Sequence, residues 1–142
     1  MAVAGYSGTP LARKLGIRPG DSLALLGAPD GFAIDDLPPG VEVRRRARAS
    51  CEVILSFHTR HAELARRFPT LMRALLADGG LWVAWPKRAS GVATDITEDV
   101  VREVALPTGM VDNKVCAIDE TWSGLRLVLR KELRPGRTTA VG

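Results

Sequence analysis

The chain has 142 residues, of which 46% are hydrophobic and 25% charged, which is typical of one domain that buries a single core. The longest uncharged stretch is too short to span a bilayer, and no basic segment leads into an apolar one, so we expect a cytoplasmic protein without a signal peptide. The formal net charge of +4 is too small to indicate a nucleic-acid partner by itself.

The first predicted elements are a short helix and two strands. In "TPLARKLG", Thr9 suits a helix N-cap, Pro10 the first helical position and Gly16 the helix end. Residues 22–26 are an apolar run bounded by turn residues, which is typical of a buried strand. A second strand is predicted over residues 41–44, after a segment that forms at most a helical turn.

Strands and a longer helix follow. "CEVILSF", residues 51–57, is rich in β-branched and apolar residues and predicts a third strand that is buried on both faces. A helical period then continues across Pro69, which predicts one kinked helix or two short ones, ended by Gly79 and Gly80. A fourth strand is predicted over residues 81–85. The residues that keep the helical period are Leu64, Phe68, Leu71 and Leu75.

The C-terminal third predicts a capped helix and a hairpin. Thr97 precedes an acidic first turn and is the expected N-cap of a helix that ends before Gly109. Two strands are predicted over residues 114–118 and 125–131, joined by "DETWSG". This connection of six residues permits an antiparallel hairpin but no parallel crossover.

The order of these elements predicts the fold class. Alternating strands and helices indicate parallel, right-handed crossovers, so we expect a single α/β domain over residues 1–135 with a mostly parallel sheet and an antiparallel C-terminal strand. Residues 136–142 are expected to form a flexible tail. This arrangement resembles a reduced form of the Rossmann-like sheet of S-adenosylmethionine-dependent methyltransferases.

The resemblance to these methyltransferases does not extend to their cofactor-binding residues. It implies a glycine-rich turn after the first strand and an acidic residue at the end of the second. Here the turn is "GAPDG", in which Pro29 and Asp30 occupy space, and Val43 is followed by arginines. The connection between the second and third strands, about six residues, is also too short for the two helices and extra strand usual there. We therefore assign no cofactor and expect weak binding of S-adenosylmethionine or none.

A second resemblance covers most of the chain, from about Gly5 to Leu133. The segments "AGYSGTPLARKLGI", "WPK", "SGVATD", "EDVVREVALPTG" and "DETWSGL" are similar to those of a family of small bacterial proteins, domain of unknown function 3052. That resemblance implies a bacterial protein and carries no activity to this chain.

Ligands of open parallel sheets bind outside the carboxyl ends of the strands, and every loop at that edge can be identified here. The loops "WPKRASG" and "DETWSG" should be neighbours there, because the strands before them run in the same direction. The loops at this edge define a candidate ligand-binding cleft. Its residues are Asp30, His58, Lys87, Ser90, Gly91, Asp119, Glu120 and Trp122.

The charged members of this cleft have structural explanations as well. Lys87 suits anion binding beside the backbone of Ser90 and Gly91, or a salt bridge to a nearby aspartate. Asp119 and Glu120 suit acid–base chemistry, or hydrogen bonds within their own turn. We assign no catalytic residue.

The ring side chains leave similar alternatives. His58 and His61 have a spacing that suits a metal ion, but no third ligand has a place, so no metal site is assigned and local hydrogen bonding is favoured. Trp122 is either a lid on the core or a platform for a ligand. Cys51 and Cys116 lie in apolar runs and are expected to be core thiols.

One run of basic residues suggests a nucleic-acid interface. It lacks interleaved aromatic residues, so a solvated edge strand is favoured over a phosphate-binding stripe. The run consists of Arg44, Arg45, Arg46 and Arg48.

Three hypotheses for function remain. We favour a non-catalytic binding or interaction domain whose partner is an unidentified small molecule or protein. The alternative is a divergent methyltransferase-like enzyme or binder of a nucleotide-type ligand at the carboxyl edge. The third hypothesis is nucleic-acid binding through the arginine run. The sequence leaves the oligomeric state open.

Overall fold

The computed structural model describes residues 9–48 and 50–135. The predicted tail over residues 136–142 lies outside this range. None of the helices in the described ranges is long and apolar enough to cross a membrane. The main elements in chain order are α1 (Leu11–Leu15), β1 (Ser22–Leu26), β2 (Glu42–Arg44), β3 (Cys51–Phe57), α2 (His61–Ala74), β4 (Leu75–Pro86), α3 (Glu98–Ala105), β5 (Met110–Ala117) and β6 (Trp122–Leu129).

The strands form one six-stranded sheet in the order β2-β1-β3-β4-β6-β5. Strands β1 to β4 are parallel to their neighbours, whereas β6 is antiparallel to both β4 and β5. β5 therefore runs in the same direction as β1 to β4, and β6 is the reversed strand. This confirms the predicted fold class, a single α/β domain with a mostly parallel sheet and an antiparallel C-terminal strand.

The two faces of the sheet are covered differently. The apolar sides of α2 and α3, with Phe68 and Val101 among their buried residues, pack on one face. Among residues 9–48 and 50–135, the opposite face is covered by the single turn and a half of α1 and by the long loop between β1 and β2. The indole nitrogen of Trp82 on this face donates a hydrogen bond to the carbonyl of Leu15 at 3.0 Å, which fixes α1 on the sheet. We call this side the α1 face.

The boundary between α2 and β4 differs from the prediction. Gly79 and Gly80 do not end the helix, which stops at Ala74, and both glycines lie inside β4. A Cβ on Gly79 would lie 2.6 Å from the carbonyl oxygen of Glu52, and one on Gly80 would lie 2.6 Å from Nε of Arg126. Gly79 permits close approach of the β3 backbone, and Gly80 leaves room for the side chain of Arg126. These are tertiary requirements, and in a sequence such glycines look the same as a helix stop.

Most other boundaries follow the sequence, but α1 begins at Leu11 with Pro10 as its N-cap, one residue later than the predicted cap at Thr9. α2 is one helix with Pro69 inside it, and Gly16 ends α1 in the left-handed conformation, with φ of 79°. The side-chain oxygen of Thr97 accepts a hydrogen bond from the backbone N–H of Val100, as expected of an N-cap. β5 begins earlier than predicted because Gly109, with φ of 97°, turns the chain directly into it. β6 also begins earlier, at Trp122.

Candidate functional site

The two loops predicted to be neighbours do meet at the carboxyl edge of the sheet. β4 and β6 pair up to their ends, where Pro86 lies opposite Trp122. The backbone N–H of Lys87 then donates to the carbonyl of Thr121 at 2.8 Å. The prediction of strand directions on which this proximity depended is therefore confirmed.

The polar side chains of these two loops largely bond to their own turns. Oδ1 of Asp119 accepts hydrogen bonds from the backbone N–H groups of Thr121 and Trp122, both at 2.8 Å. The hydroxyl of Ser90 donates to the carbonyl of Lys87 at 2.7 Å and accepts from the N–H of Val92 at 3.2 Å. These bonds build the turns, whatever else the residues do.

Four other predicted cleft residues are placed in these loops and in the one after β1. Gly91 ends a short helical turn with φ of 77°, a conformation that favours glycine. Asp30 and Glu120 are exposed and Lys87 is half-buried. Within residues 9–48 and 50–135, no hydrogen bond or ion pair engages the side chains of these three residues. Their side chains are therefore available to a ligand at this edge.

Trp122 lies over the end of the sheet as part of an aromatic row. Its ring packs edge-on against Phe57 at a centroid distance of 5.0 Å, and Phe57 packs edge-on against Phe32 at 5.0 Å. Trp122 is 9% exposed, so most of its surface contacts the core. The loop after β1 thus folds back across the carboxyl end of β3, and the row closes the core beneath it.

His58 is the centre of a buried hydrogen-bond network. Its Nδ1 lies 2.6 Å from Oε1 of Glu63, and its Nε2 lies 2.6 Å from the hydroxyl oxygen of Ser56. Burial lowers the pKa of His58, although the Glu63 carboxylate opposes that effect. The neutral imidazole then donates from Nδ1 to the carboxylate and accepts the Ser56 proton at Nε2.

This chain of serine, histidine and carboxylate has the order of a hydrolase triad but not its accessibility. Ser56 is 1% exposed and His58 3% exposed, so the hydroxyl faces no space where a substrate carbonyl could lie. The network fastens the start of α2 to β3. No group of three or more metal-ligating side chains occurs within the described ranges, and the backbone of His61 bonds to Asp95 at 2.6 Å.

An open groove of about 480 Å³ lies beside these loops, between α1, residues 31–36 and residues 118–119. We call it the edge groove. Its apolar part includes Phe32, Ile34 and Ile118, and its polar part includes Asp35 and Asp119. Asp119 is the one predicted cleft residue that lines it.

A second groove of about 750 Å³ continues from the first along the α1 face. We call it the basic groove. The two grooves share Pro10, Lys14 and Asp36. The charged residues that line the basic groove are Arg13, Lys14, Arg18, Lys114, Arg126 and Asp36.

The predicted arginine run lies at the β2 edge of the sheet, away from both grooves. Its four arginines line a surface depression of about 520 Å³ together with Glu42. Nε of Arg44 donates to the Glu42 carboxylate at 3.3 Å, so one of the four charges is partly compensated.

The two cysteines form no disulfide. Cys51 is buried in β3, and Cys116 is half-buried in β5. Burial raises the pKa of both thiols, which makes them poor nucleophiles.

Sequence reasoning missed the residues of the basic groove, although one signal was present. Along β6 the residues alternate between the two faces of the sheet, and Arg126 falls on the same face as Trp122 and Gly124. A charged residue at an inward position of an apolar strand indicates a functional or pairing requirement. Lys14 and Lys114 gave no such signal, because exposed lysines are common.

Comparison with solved structures identifies the class of fold. A S-adenosylmethionine-dependent methyltransferase from Aquifex aeolicus matches with a TM-score of 0.60 at 12% identity, over 82% of this chain and 86% of that one. Magnesium protoporphyrin IX methyltransferase from Synechocystis matches with a TM-score of 0.57 at 12% identity, over 84% and 74%. The ribosomal protein L11 methylase of Lactobacillus delbrueckii matches with a TM-score of 0.53 at 10% identity, over 84% and 75%.

These similarities show that the chain has a methyltransferase-like, Rossmann-type fold. No protein-family model and no curated protein matches the sequence. The resemblance to domain of unknown function 3052 therefore stays a prediction from sequence motifs.

Proposed function

We propose that this protein is a divergent methyltransferase-like protein that binds a nucleotide-type ligand in the edge groove. The observation that carries the proposal is the position of that groove, at the carboxyl edge of a mostly parallel sheet between the loop after β1 and the turn after β5. Open α/β sheets bind their ligands at this edge.

The lining of the edge groove suits a nucleoside. Phe32 is held by its edge-on contact with Phe57 and offers a fixed apolar surface for a base. The exposed carboxylate of Asp35 can accept hydrogen bonds from ribose hydroxyls or an exocyclic amine. An apolar surface with a few polar groups is the usual composition of a small-molecule site.

The proposed mode differs from cofactor binding in the methyltransferases that the fold resembles. The loop after β1 brings Phe32 back toward the end of β3, and β2 ends at Arg44 with no carboxylate after it. We therefore expect S-adenosylmethionine to bind more weakly than a simple nucleoside. No catalytic residue is proposed.

Calorimetric titration with adenosine, S-adenosylmethionine and S-adenosylhomocysteine tests this proposal. We expect adenosine to bind with a dissociation constant between about 10 µM and about 1 mM, and Phe32→Ala or Asp35→Asn to weaken it by about tenfold. Glu103→Gln, at an exposed carboxylate of α3 on the opposite face of the sheet, is the matched control and should leave the affinity unchanged.

Two results would contradict the proposal. If none of the three compounds binds at millimolar concentration, the interpretation as a non-catalytic interaction domain is favoured instead. If S-adenosylmethionine binds with a low micromolar dissociation constant, the inference from the missing glycine-rich turn and carboxylate is wrong.

A further inference from the structure

The basic groove has an unusual balance of charge. Five basic side chains line it, and Asp36 is the only carboxylate among the described lining residues. Its volume of about 750 Å³ lies within the range of small-molecule sites. It is open because α1 and the loop after β1 cover this face of the sheet only in part.

Arg126 lies at the sheet side of this groove and is half-buried. Across residues 9–48 and 50–135, no hydrogen bond or ion pair engages its guanidinium group. The charges that act on it most are those of Arg134 and Arg18, which are both positive. Burial, followed by these two arginines, lowers the pKa of Arg126, so the site favours an added negative charge.

Gly80 leaves space for this guanidinium group next to the backbone of β4. A Cβ at that position would lie 2.6 Å from Nε and 2.8 Å from Nη2 of Arg126, so a side chain there would displace the guanidinium group. The guanidinium group of Arg126 therefore lies against the backbone of β4, in the space that Gly80 leaves without a side chain. No carboxylate of the described residues pairs with it.

Carboxylates are present on the far side of Arg126 but do not compensate it. Asp21, Glu52 and Asp78 line a smaller depression there, of about 170 Å³. Oε1 of Glu52 accepts a hydrogen bond from the backbone of Ser22 at 2.6 Å, and Oδ2 of Asp21 accepts one from the backbone of Arg18 at 2.8 Å. Two of the three carboxylates thus serve the backbone.

Lys114 closes the groove from β5. Its ammonium group donates a hydrogen bond to the carbonyl of Lys14 in α1 at 3.1 Å. This contact joins residues that are 100 positions apart and holds α1 beside the sheet. The remaining donors of the ammonium group are available to a ligand.

We propose that the basic groove binds the phosphate groups of a small phosphorylated ligand. Guanidinium groups present paired N–H donors that match two phosphate oxygens, and the ammonium groups add point charges around them. A bound phosphate would also relieve the repulsion between Arg126 and Arg18. The inference does not depend on the proposed nucleoside site, because it concerns a different set of side chains.

Calorimetry with inorganic tripolyphosphate tests the inference, since this probe carries no nucleoside. At about 50 mM salt we expect the unmutated protein to bind it, with affinity that falls as salt screens the charges. Arg126→Gln should weaken binding at least tenfold, and Arg18→Gln, at an exposed position, should weaken it severalfold. Arg66→Gln, an exposed arginine of α2 on the opposite face, is the control.

Three results with tripolyphosphate would overturn the inference. They are no binding of tripolyphosphate at low salt, equal loss of affinity in the Arg66→Gln control, and unchanged affinity in Arg18→Gln and Arg126→Gln. Duplex DNA that binds more tightly than tripolyphosphate and depends on Arg126 would also overturn it, because the ligand would then be a nucleic acid. If the unmutated protein binds tripolyphosphate but not adenosine, only the proposed function is contradicted.

Discussion

At the scale of single residues, His58 links local chemistry to stability. It is 3% exposed, and both ring nitrogens are bonded, to Glu63 and Ser56. The sequence suggested local hydrogen bonding for this histidine near the start of α2, and the structure shows that bonding. The sequence did not predict the bond to Ser56. The pattern of residues along β3 does not show which polar side chain the imidazole of His58 will reach.

His58 should make folding sensitive to acid. Burial lowers its pKa in the folded protein from the ordinary value of 6.5, so the unfolded chain takes up the proton more readily. The contribution of the neutral histidine is therefore complete above about pH 6.5 and decreases as the pH falls through the lowered pKa. Urea unfolding at about pH 7.5 and about pH 5.5 should show lower stability at the acidic pH.

The variant His58→Gln tests this assignment. It should cost about 1–3 kcal/mol at neutral pH, because buried partners lose their bonds, and it should reduce the difference between the two pH values. His61→Gln, whose backbone bonds to Asp95, is the control and should retain the full difference. A pH dependence that persists unchanged in His58→Gln would show that another group causes it.

Gly79 and Gly80 should respond differently to an added methyl group. At Gly79 the new Cβ would meet a backbone oxygen of Glu52 at 2.6 Å, which can move only with its strand, whereas at Gly80 it would meet the mobile side chain of Arg126. Gly79→Ala is therefore expected to cost about 1–3 kcal/mol in urea unfolding, and Gly80→Ala less. Equal costs would indicate that the strands separate easily at both positions.

At the scale of elements, the cap of α3 and the strand directions follow from sequence, whereas the N-cap of α1 and the junction of α2 with β4 do not. Thr97 was predicted as the cap of α3 and is bonded as such. The junction was misplaced because Leu75 continues the helical period of α2 and yet pairs with Cys51 in the sheet. Tertiary pairing there outweighs the local pattern.

The cap of α3 provides a test at this scale. Thr97→Ala removes the oxygen that accepts the N–H of Val100 and should destabilise the protein by about 1 kcal/mol in urea unfolding. Thr97→Ser keeps that oxygen and should remain close to the parent. If the serine variant loses as much as the alanine variant, the methyl group and not the cap bond stabilises this position.

At the scale of the whole molecule, basic residues cluster in two separate regions, the basic groove and the arginine run beside β2. The run lies on the edge strand of the sheet, where positive charge discourages pairing with another chain. The favoured interpretation of the run as a solvated edge stays a prediction. It can be tested by itself because the run is separate from the basic groove.

Replacing the four arginines of the run with serine should have little effect on DNA binding. Fluorescence anisotropy with duplex DNA at physiological salt should give dissociation constants in the non-specific range, about 10⁻⁴–10⁻⁶ M, before and after the replacement. Stability should change little, since the ion pair between Arg44 and Glu42 lies on the exposed edge strand. Tight, salt-sensitive binding that disappears in the variant would support the nucleic-acid hypothesis instead. The replaced residues are Arg44, Arg45, Arg46 and Arg48.

The sequence by itself determined the fold class and the edge at which the candidate loops lie. Apolar periodicity distinguishes buried strands from amphipathic helices, and connection length decides whether two strands can be parallel, so both can be read from neighbouring residues. For these reasons the meeting of Lys87 with Thr121 could be anticipated.

Only the tertiary structure decided which side chains line the grooves. Lys14 and Lys114 are 100 positions apart and meet because α1 lies on the face where β5 presents its lysine. The guanidinium group of Arg126 has space because Gly80 of β4, two residues from the Trp82 that pairs with Arg126, carries no side chain. No local sequence pattern predicts these contacts between distant residues. Strand order and the packing of α1 arise from the burial of the whole core and not from any one segment.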